Sequence, residues 1–328
     1  MKKELPFKKT AMSYEPCTNH IWGIIASDFE RFQGALYNNF IEIVTTGAAN
    51  FCGVRNWLNY HMFDVNKIPR EMIIGKDKEQ IIETIKEWID REQYVLIYFN
   101  TFYISQYSSY QKYDFNHHAM IYGYDTKEEV FLCADFFDFT YYTLQKCSMN
   151  EVVDAIIHNE NPLRKIYESD FVLLQISKTT VPKVFTNQII ASLQALISPN
   201  NPNYKRVYGL NLIDNICNAI ENGDLEDISH EFERKAHFIV AHMEVMLLRM
   251  EYFAQKSGSE EFQELLSSMN ELKGQAVQYR NYVLKLIIKD ESIFPVEKRE
   301  KYINRLREIK RKYTIYIQTF INLLLEMD

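Results

Sequence analysis

The chain has 328 residues, of which 47% are hydrophobic and 25% are charged, a composition typical of a globular protein rather than a disordered one. This length is enough for two domains of ordinary size. The net charge of −7 argues against a general nucleic-acid-binding protein, because no overall positive field would attract phosphate.

The first half of the chain mixes helical and strand patterns. Apolar side chains recur at helical spacing in residues 18–29, 32–44 and 78–90. Runs rich in β-branched and aromatic residues predict strands at 94–99, 118–124, 130–134, 139–143 and 171–176, with a helix over 149–158. Helices followed by an antiparallel meander predict an α+β domain over residues 1–180.

The second half is predicted to be helical throughout. Apolar periodicity indicates helices near 187–198, 206–221, 229–256, 259–289 and 296–326. No repeat period is present, so the pattern favours an all-α helical bundle over residues 186–328 rather than a solenoid. The stretch 179–185, which contains Pro182, is the expected linker.

The cysteines and the N-terminus indicate where the protein resides. The five cysteines are scattered and form no Cys-x-x-Cys motif, which favours a reduced cytoplasmic protein with free thiols and no zinc ribbon: Cys17, Cys52, Cys133, Cys147 and Cys217. The N-terminus has no apolar signal-peptide core, and no stretch approaches the roughly 18 apolar residues of a membrane span. We therefore expect neither a membrane association nor a bound metal or cofactor.

One predicted hairpin carries a constellation that suits nucleophilic catalysis. The stretch FNHHAMIYGYD places His117 at the start of a strand, and Asp135 ends the next strand in VFLCAD. Side chains on neighbouring antiparallel strands lie about 5 Å apart, so Asp135 could hold His117 in one tautomer. Cys17 precedes the first apolar helix, where a helix N-terminus stabilises a thiolate. These residues are the candidate base, orienting acid and nucleophile.

This order of residues resembles the papain-like cysteine enzymes. HHAMIYGYD…VFLCAD is similar to the histidine hairpin of C39-type peptidases, and more similar to the N-terminal domain of the butirosin biosynthesis protein H family of aminoglycoside acyltransferases. The resemblance covers roughly residues 10–180 and implies a papain-like fold. It assigns the family histidine, six residues before Gly123, to His117 and the family acid to Asp135.

Two features depart from the papain-like pattern. Papain-like peptidases carry a glutamine about six residues before the cysteine as an oxyanion donor, and this chain has Ala11 there. Backbone amides at the helix start, or the side chain of Asn19, would have to replace it. Cys52, which also precedes an apolar stretch and is followed by glycine, is the alternative nucleophile.

Other readings of the same residues remain open. His118 is expected on the opposite face of the strand from His117, and Asp138 is an alternative acid. Cys17 and His20 could share a metal, but two ligands do not make a site. The alternating charges of residues 297–313 are typical of a solvated helix, with docking of an acidic carrier protein as the alternative.

The resemblance implies a cysteine acyltransferase of peptide or polyketide-type natural-product biosynthesis. An acyl group would pass from the phosphopantetheine arm of an acyl or peptidyl carrier protein to the cysteine, and then to an amine of a small-molecule or peptide acceptor. A cysteine peptidase or amidase of the C39 type would use the same residues with water as acceptor. A non-catalytic papain-like scaffold that binds assembly-line partners is the alternative from a different functional class.

Overall fold

The computed structural model divides the chain into two compact units. Unit 1 comprises Met1–Ala35 and Asn56–Pro182, and unit 2 comprises Leu36–Arg55 and Lys183–Asp328. Residues 36–55, which the sequence assigns to the first domain, belong to the second unit. The residues that the structure describes are 1–9, 16–46, 48–51, 62–138, 141–159, 171–177, 183–200, 206–222, 229–288 and 296–327.

Unit 1 is an α+β structure built on an antiparallel sheet, as predicted. The strands lie in the order β4-β9-β5-β6-β7-β8, and β1 pairs with the far half of β6. The strands are β1 Lys2–Glu4, β4 Phe63–Ile68, β5 Gln93–Asn100, β6 Asn116–Asp125, β7 Val130–Asp135, β8 Thr143–Ser148 and β9 Phe171–Ile176. The helices are α1 Pro16–Ser27, α3 Glu71–Ile74, α4 Lys78–Asp90 and α5 Met149–Ile157, and α2 Phe29–Asn38 crosses the boundary between the units.

Helix α4 shows how the local sequence sets an element. The Asp77 carboxylate accepts a hydrogen bond from the Gln80 backbone N–H at 2.8 Å, and the Gln80 side chain accepts one from the Asp77 N–H. This capping box satisfies two N–H groups that the first helical turn leaves without partners. Apolar residues at helical spacing, among them Ile81, Ile85 and Ile89, are buried. The predicted helix over 78–90 is therefore confirmed.

Helices α1 and α4 pack on opposite faces of the large sheet. Phe171 of β9 and Ala119 of β6 pair with the same residue of β5, so their side chains share a face. Phe171 contacts Trp88 of α4, with 6.0 Å between ring centroids. His118 follows Ala119 and therefore faces the other side, where it hydrogen-bonds His20 of α1. The sheet thus lies between the two helices.

Gly123 is the glycine of the histidine hairpin, and its lack of a side chain lets β1 pair with β6. A Cβ atom at this position would lie 2.6 Å from the Lys3 carbonyl oxygen and 2.9 Å from Leu132 Cδ1. A bulge in the β6–β7 pairing falls between Ile121 and Gly123. The backbone of β1 can approach only because this residue has no side chain.

We expect Gly123→Ala to destabilise the protein by about 1–3 kcal/mol, because the added methyl group overlaps backbone atoms that cannot rotate away. Gly274→Ala in the second unit is the control, since a Cβ there meets nothing within 4 Å. As a helix-interior glycine, Gly274 should give a gain of about 0.5–1 kcal/mol when replaced. Urea unfolding of both variants measures the difference. Equal stability of Gly123→Ala and wild type would contradict this account of β1.

Unit 2 is mainly helical but also contains a small sheet, which corrects the predicted all-α bundle. Strands β2 Ile43–Thr46, β3 Ala48–Phe51 and β10 Val207–Tyr208 pair antiparallel in the order β10-β2-β3. The helices are α6 Thr186–Ile197, α7 Asn211–Asn222, α8 Ser229–Ser257, α9 Glu260–Ile288 and α10 Val296–Glu326. Helix α9 packs against α8 and α10, and α10 also packs against α6 and α7.

Arg249 of α8 is fully buried and satisfies the end of helix α2. Its guanidinium donates to the backbone oxygens of Tyr37 at 2.8 Å, Asn39 at 2.7 Å and Leu36 at 3.3 Å. Burial lowers the pKa of Arg249 to about 9, so the group stays charged at pH 7. A cation suits a helix C-terminus, where the last carbonyls have no partner within the helix.

The structure differs from the sequence prediction at the boundaries of two helices and one strand. The helix predicted over 32–44 ends at Asn38, because Phe40 adopts a left-handed backbone (φ 58°) and β2 begins soon after. The helix predicted over 206–221 starts only at Asn211, after β10 and a left-handed glycine at 209 (φ 58°). The strand predicted over 139–143 instead runs over Thr143–Ser148, and residues 139 and 140 lie outside the described part.

In the described part of the chain, no helix combines the length and apolar character that a membrane span requires.

Candidate active site

His117 and Asp135 form a hydrogen-bonded pair at one end of the large sheet. The β6–β7 register places Ala134 opposite Met120, so Asp135 lies beside the first residues of β6. His117 Nδ1 is 2.6 Å from Asp135 Oδ2. The Asp135 side chain is fully buried, whereas the imidazole is 18% exposed. Because the Asp135 carboxylate accepts a hydrogen bond from Nδ1, that nitrogen carries the proton. The other ring nitrogen, Nε2, is then the basic one.

A buried tyrosine completes the surroundings of Asp135. The Tyr107 hydroxyl donates to the same carboxylate oxygen, Oδ2, that His117 contacts. The other oxygen, Oδ1, is buried and has no hydrogen-bond partner in the described part of the protein. Burial, together with the Asp135 charge, raises the pKa of Tyr107 well above its usual range, so this hydroxyl remains a donor.

A second hydrogen-bond network joins β6 to helix α1. His118 Nδ1 lies 3.2 Å from His20 Nε2, and His20 Nδ1 lies 2.6 Å from the Tyr142 hydroxyl. Burial, and to a smaller extent the proximity of His117, lowers the pKa of His20 to about 3. Burial likewise lowers the pKa of His118 well below its ordinary value. Both imidazoles are therefore neutral at pH 7, and the network links α1 to the sheet without a charge.

The imidazole of His117 stacks on the rings of two residues close to it in the sequence, Phe115 and His118. The His117 and His118 rings are parallel within 4°, with centroids 5.2 Å apart, although the two residues start from opposite faces of the strand. Phe115 stacks on His117 at 5.6 Å. Contacts therefore run without interruption from His117 through His118 to His20 on α1.

Cys17 is the second residue of helix α1, so its position in the first turn is that of a thiol near a helix N-terminus. Positions three apart on a helix share a face, which places position 17 on the same face as His20. The side chain of Cys17 lies outside the described residues, and so does the whole of Cys52.

The other predicted residues have the following surroundings. Asn19 is 2% exposed in α1, so its amide lies among protein atoms rather than at the surface. Asp138 is exposed, and its carboxylate accepts from the Tyr141 backbone N–H in a turn. Cys133, Cys147 and Cys217 are buried, as expected of small core residues.

Sequence patterns missed Tyr107 and Tyr142 as members of the site. Tyr107 lies in the 101–115 loop, where apolar residues show no helical or strand periodicity, and Tyr142 immediately precedes β8. The sequence suggests His20 only as a metal ligand with Cys17, whereas the structure shows it hydrogen-bonded to His118 and Tyr142. Only its spacing of three residues from Cys17 offered a signal.

The described residues contain no cluster of three or more His, Cys, Asp or Glu side chains able to hold a metal ion. His242, one of the histidines in the helical region, instead hydrogen-bonds the Tyr313 hydroxyl and the Ile41 carbonyl, both at 2.6 Å.

In comparisons with known proteins, no protein-family model and no curated protein matches this chain.

Proposed function

We propose that the protein is a papain-like cysteine acyltransferase of natural-product biosynthesis, with Cys17 as nucleophile, His117 as base and Asp135 as the residue that orients the base. The observation that carries the proposal is the His117–Asp135 hydrogen bond, with a buried carboxylate and a partly exposed imidazole. A buried aspartate on Nδ1 leaves Nε2 as the nitrogen that can take a proton from a thiol.

The contacts between β6 and α1 support Cys17 as the nucleophile. His20 lies on the same helical face as position 17 and hydrogen-bonds His118 at 3.2 Å. The His118 ring in turn stacks on His117. By strand alternation His118 faces α1 and His117 starts from the opposite face, so the network reaches the base only through the stacked His118 ring, while the helix N-terminus favours the thiolate.

The proposed reaction has two acyl-transfer steps. The Cys17 thiolate attacks the carbonyl carbon of a carrier-protein thioester, and the phosphopantetheine thiol leaves with the proton held by His117. An acceptor amine then attacks the acyl-cysteine, His117 takes the amine proton, and the Cys17 sulfur leaves as thiolate. Backbone N–H groups at the start of α1 are the proposed donors to the oxyanion, since Asn19 is buried within the protein.

The proposed donor is an acyl or peptidyl carrier protein in the cytoplasm. Such partners are acidic, and the proposed docking surface is the basic stretch 297–313 of α10. Several of its cations already have acidic partners: Arg307 with Glu221, Lys310 with Asp214, and Arg311 and Lys312 with Glu308. Exposed ion pairs are weak, so a carrier protein could exchange with these partners.

A non-catalytic scaffold is the second candidate, and Ala11 in place of the family glutamine favours it. Trapping the acyl-enzyme separates the two functions. We would incubate the protein with acetyl-N-acetylcysteamine, a small thioester, and locate the acetyl group by peptide mass spectrometry. The proposal expects an acetyl group on Cys17 that Cys17→Ala abolishes and Cys52→Ala retains.

The other outcomes each identify a different function. An acetyl group on Cys52 alone would reassign the nucleophile, and no acetyl group on any cysteine would favour the scaffold. Adding glycinamide as acceptor distinguishes a transferase from a hydrolase. A transferase forms N-acetylglycinamide, whereas a peptidase or amidase releases acetate at the same rate with or without the amine.

A further inference from the structure

The carboxylate of Asp135 depends on very few donors. Its Oδ2 atom accepts from His117 and Tyr107, and no other hydrogen-bond or ion-pair partner is present in the described part of the chain. Its Oδ1 atom is buried and has no hydrogen bond from any described residue. A buried carboxylate normally requires several donors to hold both its charge and its orientation. Among the described residues, the hydroxyl of Tyr107 is the one donor apart from the imidazole that Asp135 is proposed to orient.

The loop that carries Tyr107 is closed by hydrogen bonds at its base. The Thr101 backbone N–H and hydroxyl both donate to the Phe115 carbonyl at 2.8 Å, and the Thr101 hydroxyl also bonds Ser109 at 2.7 Å. Asn100 bonds Asp114 across the same base at 2.6 Å. The loop therefore leaves β5 and returns to β6 immediately before His117, with Tyr107 on its inner side.

The ring of Tyr107 also packs against residues of β5 and of the segment that follows β7. It packs edge-on against Phe99, with 6.0 Å between ring centroids, and at a tilt against Phe137, with 4.7 Å between centroids. The backbone N–H of Ser108 donates to the Phe137 carbonyl, two residues after Asp135. The hydroxyl is thus held by packing on both neighbouring strands and has little freedom to leave Asp135.

We propose that Tyr107 is a positioning residue of the site, which locks the Asp135 carboxylate so that Oδ2 faces His117 Nδ1. Without this hydroxyl the carboxylate can turn about its Cβ–Cγ bond and offer Oδ1, which has no competing partner among the described residues. The hydrogen bond from His117 Nδ1 would then have two alternative acceptor atoms. The orientation of the imidazole, and with it the direction of Nε2, would no longer be fixed. The inference rests on the proposed function for its catalytic consequence but not for its structural one.

The test is Tyr107→Phe, which removes one oxygen atom and retains the ring that packs on Phe99 and Phe137. We expect kcat for acetyl transfer to fall roughly 10- to 100-fold with KM unchanged, as for other residues that orient a catalytic group. The His117 Nδ1–H resonance in a ¹⁵N-histidine-labelled sample should shift, because its acceptor changes. Tyr94→Phe is the matched control, since Tyr94 is also buried and donates its hydroxyl to the Pro6 carbonyl, outside this network.

Combining Tyr107→Phe with Asp135→Asn, which removes the carboxylate, shows whether Tyr107 acts through Asp135. In Asp135→Asn, we expect the added Tyr107→Phe change to leave kcat within about twofold, because residues that act as a unit are not additive. A purely structural tyrosine would lower kcat by the same factor in both backgrounds, which would overturn the proposal.

The His117 Nδ1–H resonance tests the positioning role of Tyr107 independently of the proposed acyltransferase function. If the protein transfers no acyl group, a shifted Nδ1–H signal in Tyr107→Phe still supports the positioning role. An unchanged signal beside an unchanged kcat overturns the positioning role and leaves the acyltransferase intact.

Discussion

Replacing His117 with alanine is expected to lower the rate of acyl transfer by about 10²–10⁴-fold, the usual contribution of a general base. Among the described residues, the imidazole is the group that contacts the buried Asp135 carboxylate and is also partly exposed. Its removal takes away the acceptor for the thiol and amine protons and leaves the fold of the sheet in place. The initial rate of acetyl transfer from a thioester to an amine measures the loss.

His158→Ala is the control for His117→Ala. His158 follows helix α5, is exposed, and stacks on Tyr103 at 4.6 Å without any contact to Asp135. We expect this variant to keep the wild-type rate. If both histidine variants were equally active, the base would have to be assigned elsewhere.

Arg249→Ala is expected to destabilise the protein by about 3–5 kcal/mol, the range observed when a buried charged partner is removed or a large core side chain is truncated. The change removes the hydrogen bonds that the guanidinium donates to the carbonyl groups of Leu36, Tyr37 and Asn39. It also opens a cavity in the core of unit 2, because the arginine is fully buried. Urea unfolding followed by circular dichroism gives the free energy of unfolding.

Two further arginine variants separate the causes of this loss. Arg249→Met keeps most of the side-chain volume, so its loss of stability, about 1–3 kcal/mol, reports the lost guanidinium hydrogen bonds rather than a cavity. Arg311→Ala removes an exposed arginine paired with Glu308 and should leave the free energy of unfolding almost unchanged. A wild-type stability for Arg249→Ala would mean that the carbonyls find other donors, and that Arg249 does not hold the end of α2.

The elements that sequence predicted best are those whose signals are local. Helix α4 combines apolar periodicity with its own capping box, and strands β5, β6, β7 and β9 are short apolar runs bounded by turns. Strands β2, β3 and β10 were missed because each is short and stable only when paired with the others. The end of α2 was missed because it involves a left-handed backbone at Phe40 and Arg249, more than 200 residues away in sequence, which donates to the carbonyl oxygens at that end.

The same distinction applies to the candidate site. Alternation and strand pairing are enough to place Asp135 beside His117, since both lie near the ends of consecutive strands. The contact of Tyr107 with Asp135 depends on how the 101–115 loop closes, and no spacing rule predicts that closure. The role of His20 depends on how α1 packs on β6, which is likewise a tertiary contact.

The pH dependence of Cys17 alkylation tests the central claim most directly. Iodoacetamide labelling of each cysteine would be followed by mass spectrometry from pH 5 to pH 10. Cys133, Cys147 and Cys217 serve as internal references, because they are buried and burial raises the pKa of Cys217 to about 11. We expect Cys17 to label with a midpoint well below the ordinary thiol value of about 8.5, and His117→Ala to return it to that value. Slow labelling of Cys17, indistinguishable from the buried cysteines and unaffected by His117→Ala, would contradict a catalytic cysteine at this site.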